Sequence, residues 1–207
     1  ILLLLLLYTL QGIPMGLAAS LPMLMQEKRV STMEQAVFSV VAYPFAFKLA
    51  WAPLVDSVFS GSFGRRKTWI VPAQLLIGLL LIAASMRINA LLGSDGPVDV
   101  KTLTALFFSF YFLCATQDVA VDGWALTILS EGNKEYGATC NAIGQTVGCA
   151  ARAAASSAAR ARGPHARGCA RRYSLAYMGF IALNAYELVT LGGFMFLWGW
   201  VFLGSTL

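Results

Sequence analysis

Two carboxylates, Asp118 and Asp122, stand four residues apart inside an otherwise apolar run, Leu103–Leu129. Residues at that spacing share one face of a helix, about 6 Å apart along its axis. An acid at the centre of a membrane helix costs about 2.5–3.5 kcal/mol on insertion scales, whereas a leucine returns about 0.3–0.6 kcal/mol. Two acids on one span therefore point to use. They line a polar cavity and bind a proton, a cation or a base from another span, or they form a structural ion pair with Lys48 as the candidate partner. Gln117 and Trp124 flank the acidic face. Lys48 itself reads either as a snorkelling side chain near a helix end or as a buried cation. It shares a face with Ala52 and Asp56, and Pro53 is placed to kink the helix between them.

Other polar groups in apolar surroundings join this set. Gln11 is an intramembrane hydrogen-bonding group beside Gly12, Pro14 and Gly16, and the two glycines are spaced for close helix packing. Asn141 and Gln145 again stand four apart, next to Gly144 and Gly148, so one side of that helix can pack while the adjacent side hydrogen-bonds a substrate. A different chemistry sits in the turn after Asp56, where Gly64, Arg65, Arg66 and Lys67 form a basic cluster facing one acid. Loops rich in Lys and Arg stay on the cytoplasmic side, so this turn orients the spans around it.

The elements that must position these groups are membrane spans. Of 207 residues 58% are hydrophobic and 12% charged, outside the range of a soluble domain. The net charge of +5 does not indicate nucleic acid, because six of the fifteen basic residues lie between Arg152 and Arg172, leaving nine against ten acids. The four cysteines show no CxxC spacing and the chain has one histidine, so no metal site or disulfide framework is indicated. No nucleophile-elbow, zinc-protease or P-loop motif is present.

Hydropathy predicts spans at Ile1–Gln26, Met33–Val55, Thr68–Met86 and Leu103–Leu129, a fifth starting near Tyr136, and a sixth at Leu188–Leu207. A signal peptide is the rival reading of the first run, but it lacks a basic n-region and is too long. Residues 1–149 are thus read as spans one to five, 150–172 as an atypical Ala/Arg-rich segment, and 173–207 as carrying the sixth span. The Ala/Arg-rich segment reads as a misread frame, an intron remnant or an altered splice rather than a basic surface arm, and is assigned no function. With Ile1 first and an apolar run last, the chain is read as a fragment.

Five stretches resemble the acetyl-coenzyme A transporter family of the endoplasmic reticulum membrane, a branch of the major facilitator superfamily. They are YTLQGIPMGLAASLP at Tyr8–Pro22, KLAWAPLVDSVFSGSFGRRKTW at Lys48–Trp69, ATQDVAVDGWALTILS at Ala115–Ser130, TCNAIGQTVG at Thr139–Gly148, and VTL-x-x-F-x-F-x-WG at Val189–Gly199. Bacterial muropeptide permeases share the WAPLVD, GRR and ATQD patterns, whereas AVDGWALTILS and NAIGQTVG look more like the acetyl-CoA branch. The resemblance implies an all-α membrane protein, the N-terminal six-helix half of a facilitator, whose C-terminal half is missing. It further implies import of cytosolic acetyl-CoA into the lumen in exchange for CoA, supplying acetylation there, with both molecules as cargo and no cofactor.

In such transporters two six-helix halves rock about a midplane site. The resemblance then makes Gln11, Lys48, Gln117, Asp118, Asp122, Asn141 and Gln145 the cavity, and Asp56, Gly64, Arg65, Arg66 and Lys67 a conformational latch. Lys48 is the expected phosphate partner, and the two acids hold a base in place or couple conformations. The implied partners are acetyl-CoA, CoA, the lipid bilayer and the missing half, with a homodimer left open and no nucleic acid. Three alternatives stand beside this reading: a proton-coupled, muropeptide-permease-like carrier, a membrane acetyltransferase, and a truncated product that does not transport. The acetyltransferase would need a base such as histidine in the membrane, and His165 lies in the Arg-rich segment.

Overall fold

The computed structural model describes residues 1–61, 64–92, 98–147 and 191–206. Eight α-helices account for nearly all of them: α1 (Leu2–Glu27), α2 (Thr32–Phe38), α3 (Tyr43–Ser57), α4 (Lys67–Ser85), α5 (Ile88–Leu91), α6 (Val100–Ile128), α7 (Tyr136–Val147) and α8 (Leu191–Thr206). No strand occurs among the described residues. Four stretches are long and apolar enough to cross a bilayer, Leu2–Gln26, Thr32–Ser57, Lys67–Leu91 and Val100–Ile128, and Leu191–Thr206 is a shorter apolar helix. The chain is an all-α membrane protein. Residues 148–190, which hold the Ala/Arg-rich segment, lie outside the described residues.

Local chemistry sets the helix ends. Ser31 and Glu34 form a reciprocal capping box at the start of α2, each side chain accepting the other's main-chain N–H at 3.2 Å. The second span is one helical rod with a fault in it. Its α geometry tightens to a 3-10 turn at Ser39–Ala42, just before Pro44 at the first turn of α3. Proline has no N–H to donate back into a preceding turn, so it begins a helix more readily than it continues one. Pro53, where the sequence predicts a kink, lies inside α3. Asp99 caps α6, accepting from the Thr102 hydroxyl at 2.6 Å and its main-chain nitrogen at 3.2 Å.

Helix α6 is the central post, packed by α1, α2, α3, α4, α5 and α7, while α8 lies along α4 and α7 along α1. Two apolar clusters form around it. One gathers Leu10, Leu17, Met25, Phe38, Ile77, Leu103, Phe107, Phe110 and Phe202; the other, toward the Asp56 turn, gathers Leu4, Tyr8, Val55, Ile70, Val121 and Leu129. Between them on α1 and α6 fall Gln11, Gln117 and Asp118, all buried. The fold thus holds a polar layer between two apolar ones.

The α4/α8 contact depends on missing side chains. A Cβ at Gly199 would stand 2.5 Å from Ile82 Cγ1 and 3.0 Å from the Gly78 carbonyl oxygen. Close backbone approach replaces the hydrophobic drive that helices lack in lipid. Gly199→Leu is therefore expected to cost about 1–3 kcal/mol, the usual penalty of overpacking. Thermal unfolding in detergent should show the loss, while Gly204→Leu on the same helix, with nothing within 4 Å of its Cβ position, should leave stability unchanged. A second expectation concerns pH. The Thr102 hydrogen bonds hold the Asp99 carboxyl below the usual carboxylate range. The cap's contribution is then complete above the unfolded-chain value and is lost as pH falls through the folded one. The protection of first-turn α6 amides, relative to their intrinsic exchange rates, should fall across that acid interval, and Asp99→Ala should remove this pH dependence.

Candidate functional site

Asp118 is nearly fully buried on α6, and two other spans converge on it. Lys48 on α3 donates to its Oδ2 at 2.5 Å, and Gln11 Nε2 on α1 donates to Oδ1 at 2.8 Å. One turn further along α6, Asp122 accepts at Oδ1 from the Tyr8 hydroxyl at 2.6 Å and from Asn141 Nδ2 on α7 at 3.2 Å. Its other oxygen stands 3.8 Å from the Lys48 ammonium. Each acid therefore has its own partners, and one lysine lies between them.

Helix direction explains the pairing. Tyr8 and Gln11 are three apart on α1 and meet Asp122 and Asp118 in reverse order, as antiparallel helices require. Phe38 against Phe107, Phe45 against Tyr111 and Lys48 against Asp118 rise together in number, so the second span runs parallel to α6. A Cβ at Gly144 would collide with the Tyr8 Cβ, so its absence lets α7 press onto α1. Asn141 lies one turn before Gly144 on that face, which brings its amide to the carboxylate that Tyr8 already holds.

Of the cavity residues expected from sequence, Gln11, Lys48, Asp118, Asp122 and Asn141 are brought together. Gln117 is not part of this network. It is fully buried, but it points about 100° around α6 from Asp118, and neither amide atom has a partner among the described residues. Gln145 lies on α7, with its side chain outside the described residues. Tyr8 is the addition. It was legible as a hydroxyl one turn from Gln11, though tyrosines at membrane edges are common enough to hide it.

The Asp56 turn forms a second polar group. The Asp56 carboxylate pairs with Arg66, the N-cap residue of α4, while Arg65 donates from Nε to the Asp56 main-chain carbonyl at 2.9 Å and lies over the Phe59 ring. The two arginines are thus not equivalent: only Arg66 meets the carboxylate. Gly64 takes φ +85°, a left-handed conformation that glycine adopts without a Cβ penalty, and Lys67 is exposed at the start of α4. Trp69 pins the turn by donating to the Val58 carbonyl at 2.6 Å.

Apolar helices long enough to cross a bilayer close on a paired lysine and two acids, the arrangement of a multi-pass membrane protein with a polar interior. A family model described as Acetyl-coenzyme A transporter 1 matches residues 1–207, and the chain belongs to that family. An uncharacterized membrane protein of Saccharomyces cerevisiae is 40% identical over 163 residues, covering 70% of this chain and 29% of its own length. An uncharacterized protein of Schizosaccharomyces pombe is 41% identical over 146 residues, covering 70% and 28%. The anhydromuropeptide permease of Escherichia coli K12 is 29% identical over 139 residues, covering 66% and 27%. The chain spans less than a third of the length of these relatives. No solved structure matches it.

The central pair makes a prediction about stability. Asp118→Asn leaves the Lys48 ammonium without its closest anion, and breaking a buried pair typically costs about 3–5 kcal/mol. Lys48 keeps 30% of its side chain accessible, so a loss of about 2–3 kcal/mol is expected. Lys48→Met combined with Asp118→Leu should recover most of it, because an apolar pair leaves no charge to solvate. Thermal unfolding of the purified variants gives the comparison, and equal losses in the single and double variants would count against the pair.

Proposed function

We propose that this chain is the N-terminal part of a facilitator that carries acetyl-CoA from the cytosol into the endoplasmic reticulum lumen in exchange for CoA. The observation that carries the reading is Lys48, a cation held among apolar helices by Asp118 in a chain of the acetyl-coenzyme A transporter family. Acetyl-CoA and CoA are polyanions, and an ammonium close to the bilayer midplane suits their phosphates. Lys48 is engaged by Asp118, so a phosphate reaches it by displacing or joining that contact. Asp118 and Asp122 act on the lysine and on the helices rather than on the phosphate, which like charge forbids. Gln11, Asn141 and Gln145 supply hydrogen bonds to the uncharged parts of the cargo.

The Asp56–Arg66 pair latches one conformation at the cytoplasmic face and opens in the other, with Gly64, Arg65 and Lys67 shaping that turn. The cargo would lie between this helical half and a C-terminal half, and luminal acetylation would consume it. The protein moves the thioester without cleaving it, and no cofactor is called for. A second reading is favoured by the likeness to the anhydromuropeptide permease: proton-coupled uptake of a sugar-peptide, with Asp122 taking the proton. A chain that cannot alternate without its other half is the third outcome.

Counterflow in vesicles holding the full-length transporter separates these. Labelled acetyl-CoA accumulating against internal CoA supports exchange, acetyl transfer without movement of CoA supports an enzyme, and proton-dependent sugar-peptide uptake supports the permease reading. Lys48→Ala should raise KM for acetyl-CoA about 10–100-fold, the equivalent of one charge-assisted hydrogen bond of about 1.5–3 kcal/mol. Asp122→Asn should abolish exchange while leaving membrane insertion intact, and an unchanged exchange rate would remove this acid from the mechanism.

A further inference from the structure

The Arg66 guanidinium touches more than Asp56. A Cβ built on Gly123 of α6 would meet three atoms first, all from Arg66: Cζ, Nη2 at 2.5 Å and Nη1 at 2.6 Å. No L side chain fits there unless the guanidinium moves. Arg66 keeps only 17% of its side chain accessible although its partner Asp56 keeps 45%, so Asp56 alone does not bury it. The wall against it is the backbone of α6. Arg65, its neighbour, remains exposed.

We infer that Gly123 is a positioning residue, the seat on α6 that receives the flat guanidinium of Arg66 and so ties the Asp56–Arg66 pair to the helix carrying Asp122. The inference rests on the latch role proposed above. Three elements meet at this point: Asp56 near the end of α3, Arg66 at the start of α4, and Gly123 one residue after the carboxylate bonded to Tyr8 and Asn141. A displacement of α6 that breaks the Asp122 contacts also moves the seat. The latch is then a sensor of the polar layer, with its information carried by contact between a guanidinium and a peptide backbone. A guanidinium is planar and stacks, whereas an ammonium is a compact point charge on a flexible stem, so the two respond differently to a crowded seat.

The test uses the full-length transporter in membranes and a dicarbonyl reagent that modifies accessible arginines, with peptide mass spectrometry reading Arg66 against Arg65 as internal reference. Gly123→Ala should raise the modification of Arg66 relative to Arg65 several-fold and lower acetyl-CoA exchange about 5–10-fold, within the range of a coupling between sites. Adding Arg66→Lys should restore exchange, because the slimmer head no longer meets the new methyl group. Gly137→Ala, whose Cβ would have only Leu129 Cδ1 at 3.5 Å, should change neither quantity. An unchanged Arg66 rate in Gly123→Ala overturns the seat, as does failure of Arg66→Lys to rescue exchange, or insertion if Gly123→Ala does not insert alone. If Arg66 reactivity rises in Gly123→Ala while Asp56→Asn leaves exchange intact, the seat stands and the latch reading fails.

Discussion

The contact between Lys48 and Asp118 is the constraint to which the rest of the helical arrangement answers. Neither charge is tolerable alone among the apolar side chains of the two clusters, and together they are tolerable only with their remaining hydrogen-bonding capacity filled. Gln11 fills part of it. One lysine lies among two carboxylates, so the second acid must find neutral donors, and it finds Tyr8 and Asn141. Those requirements draw on α1, α3, α6 and α7. The meeting of four helices at this layer follows from the need to leave no charge unaccompanied.

Meeting at such distances requires backbones to come closer than most side chains allow. Gly144 removes the obstacle between α7 and α1, and Gly78 with Gly199 does so between α4 and α8. In a bilayer, van der Waals contact and interhelical hydrogen bonds replace the hydrophobic gain that drives helices together in water, so close approach has more to contribute. The aromatic pairs Phe38 with Phe107 and Phe45 with Tyr111 reinforce the parallel contact between the second span and α6. They also fix its register, which places Lys48 opposite Asp118 rather than a turn away.

The fold was legible where composition alone decides. Runs of apolar residues bounded by charges gave the first four spans, which the helices reproduce to within a few residues, because the cost of a charge in hydrocarbon is local and strong. The site was legible in part for the same reason: a polar residue in such a run is conspicuous, and Gln11, Lys48, Asp118, Asp122 and Asn141 were found that way. Tyr8 and Gly123 were not. A tyrosine near a helix end and a glycine beside an acid are ordinary in a list of residues, and acquire meaning only through what stands across from them.

By itself the sequence determined that the chain crosses a membrane, where the first four spans fall, and which polar side chains must find partners, since each of these follows from transfer energies that belong to a residue and its near neighbours. The tertiary structure alone decided which partners they found. Asp118 received Lys48 and Gln11 while Asp122 received Tyr8 and Asn141, and Arg66 took the Asp56 carboxylate while Arg65 took its carbonyl. Pairing depends on helix direction, register and the depth of approach that a missing Cβ permits. Those are properties of two helices at once, and no single run of residues contains them.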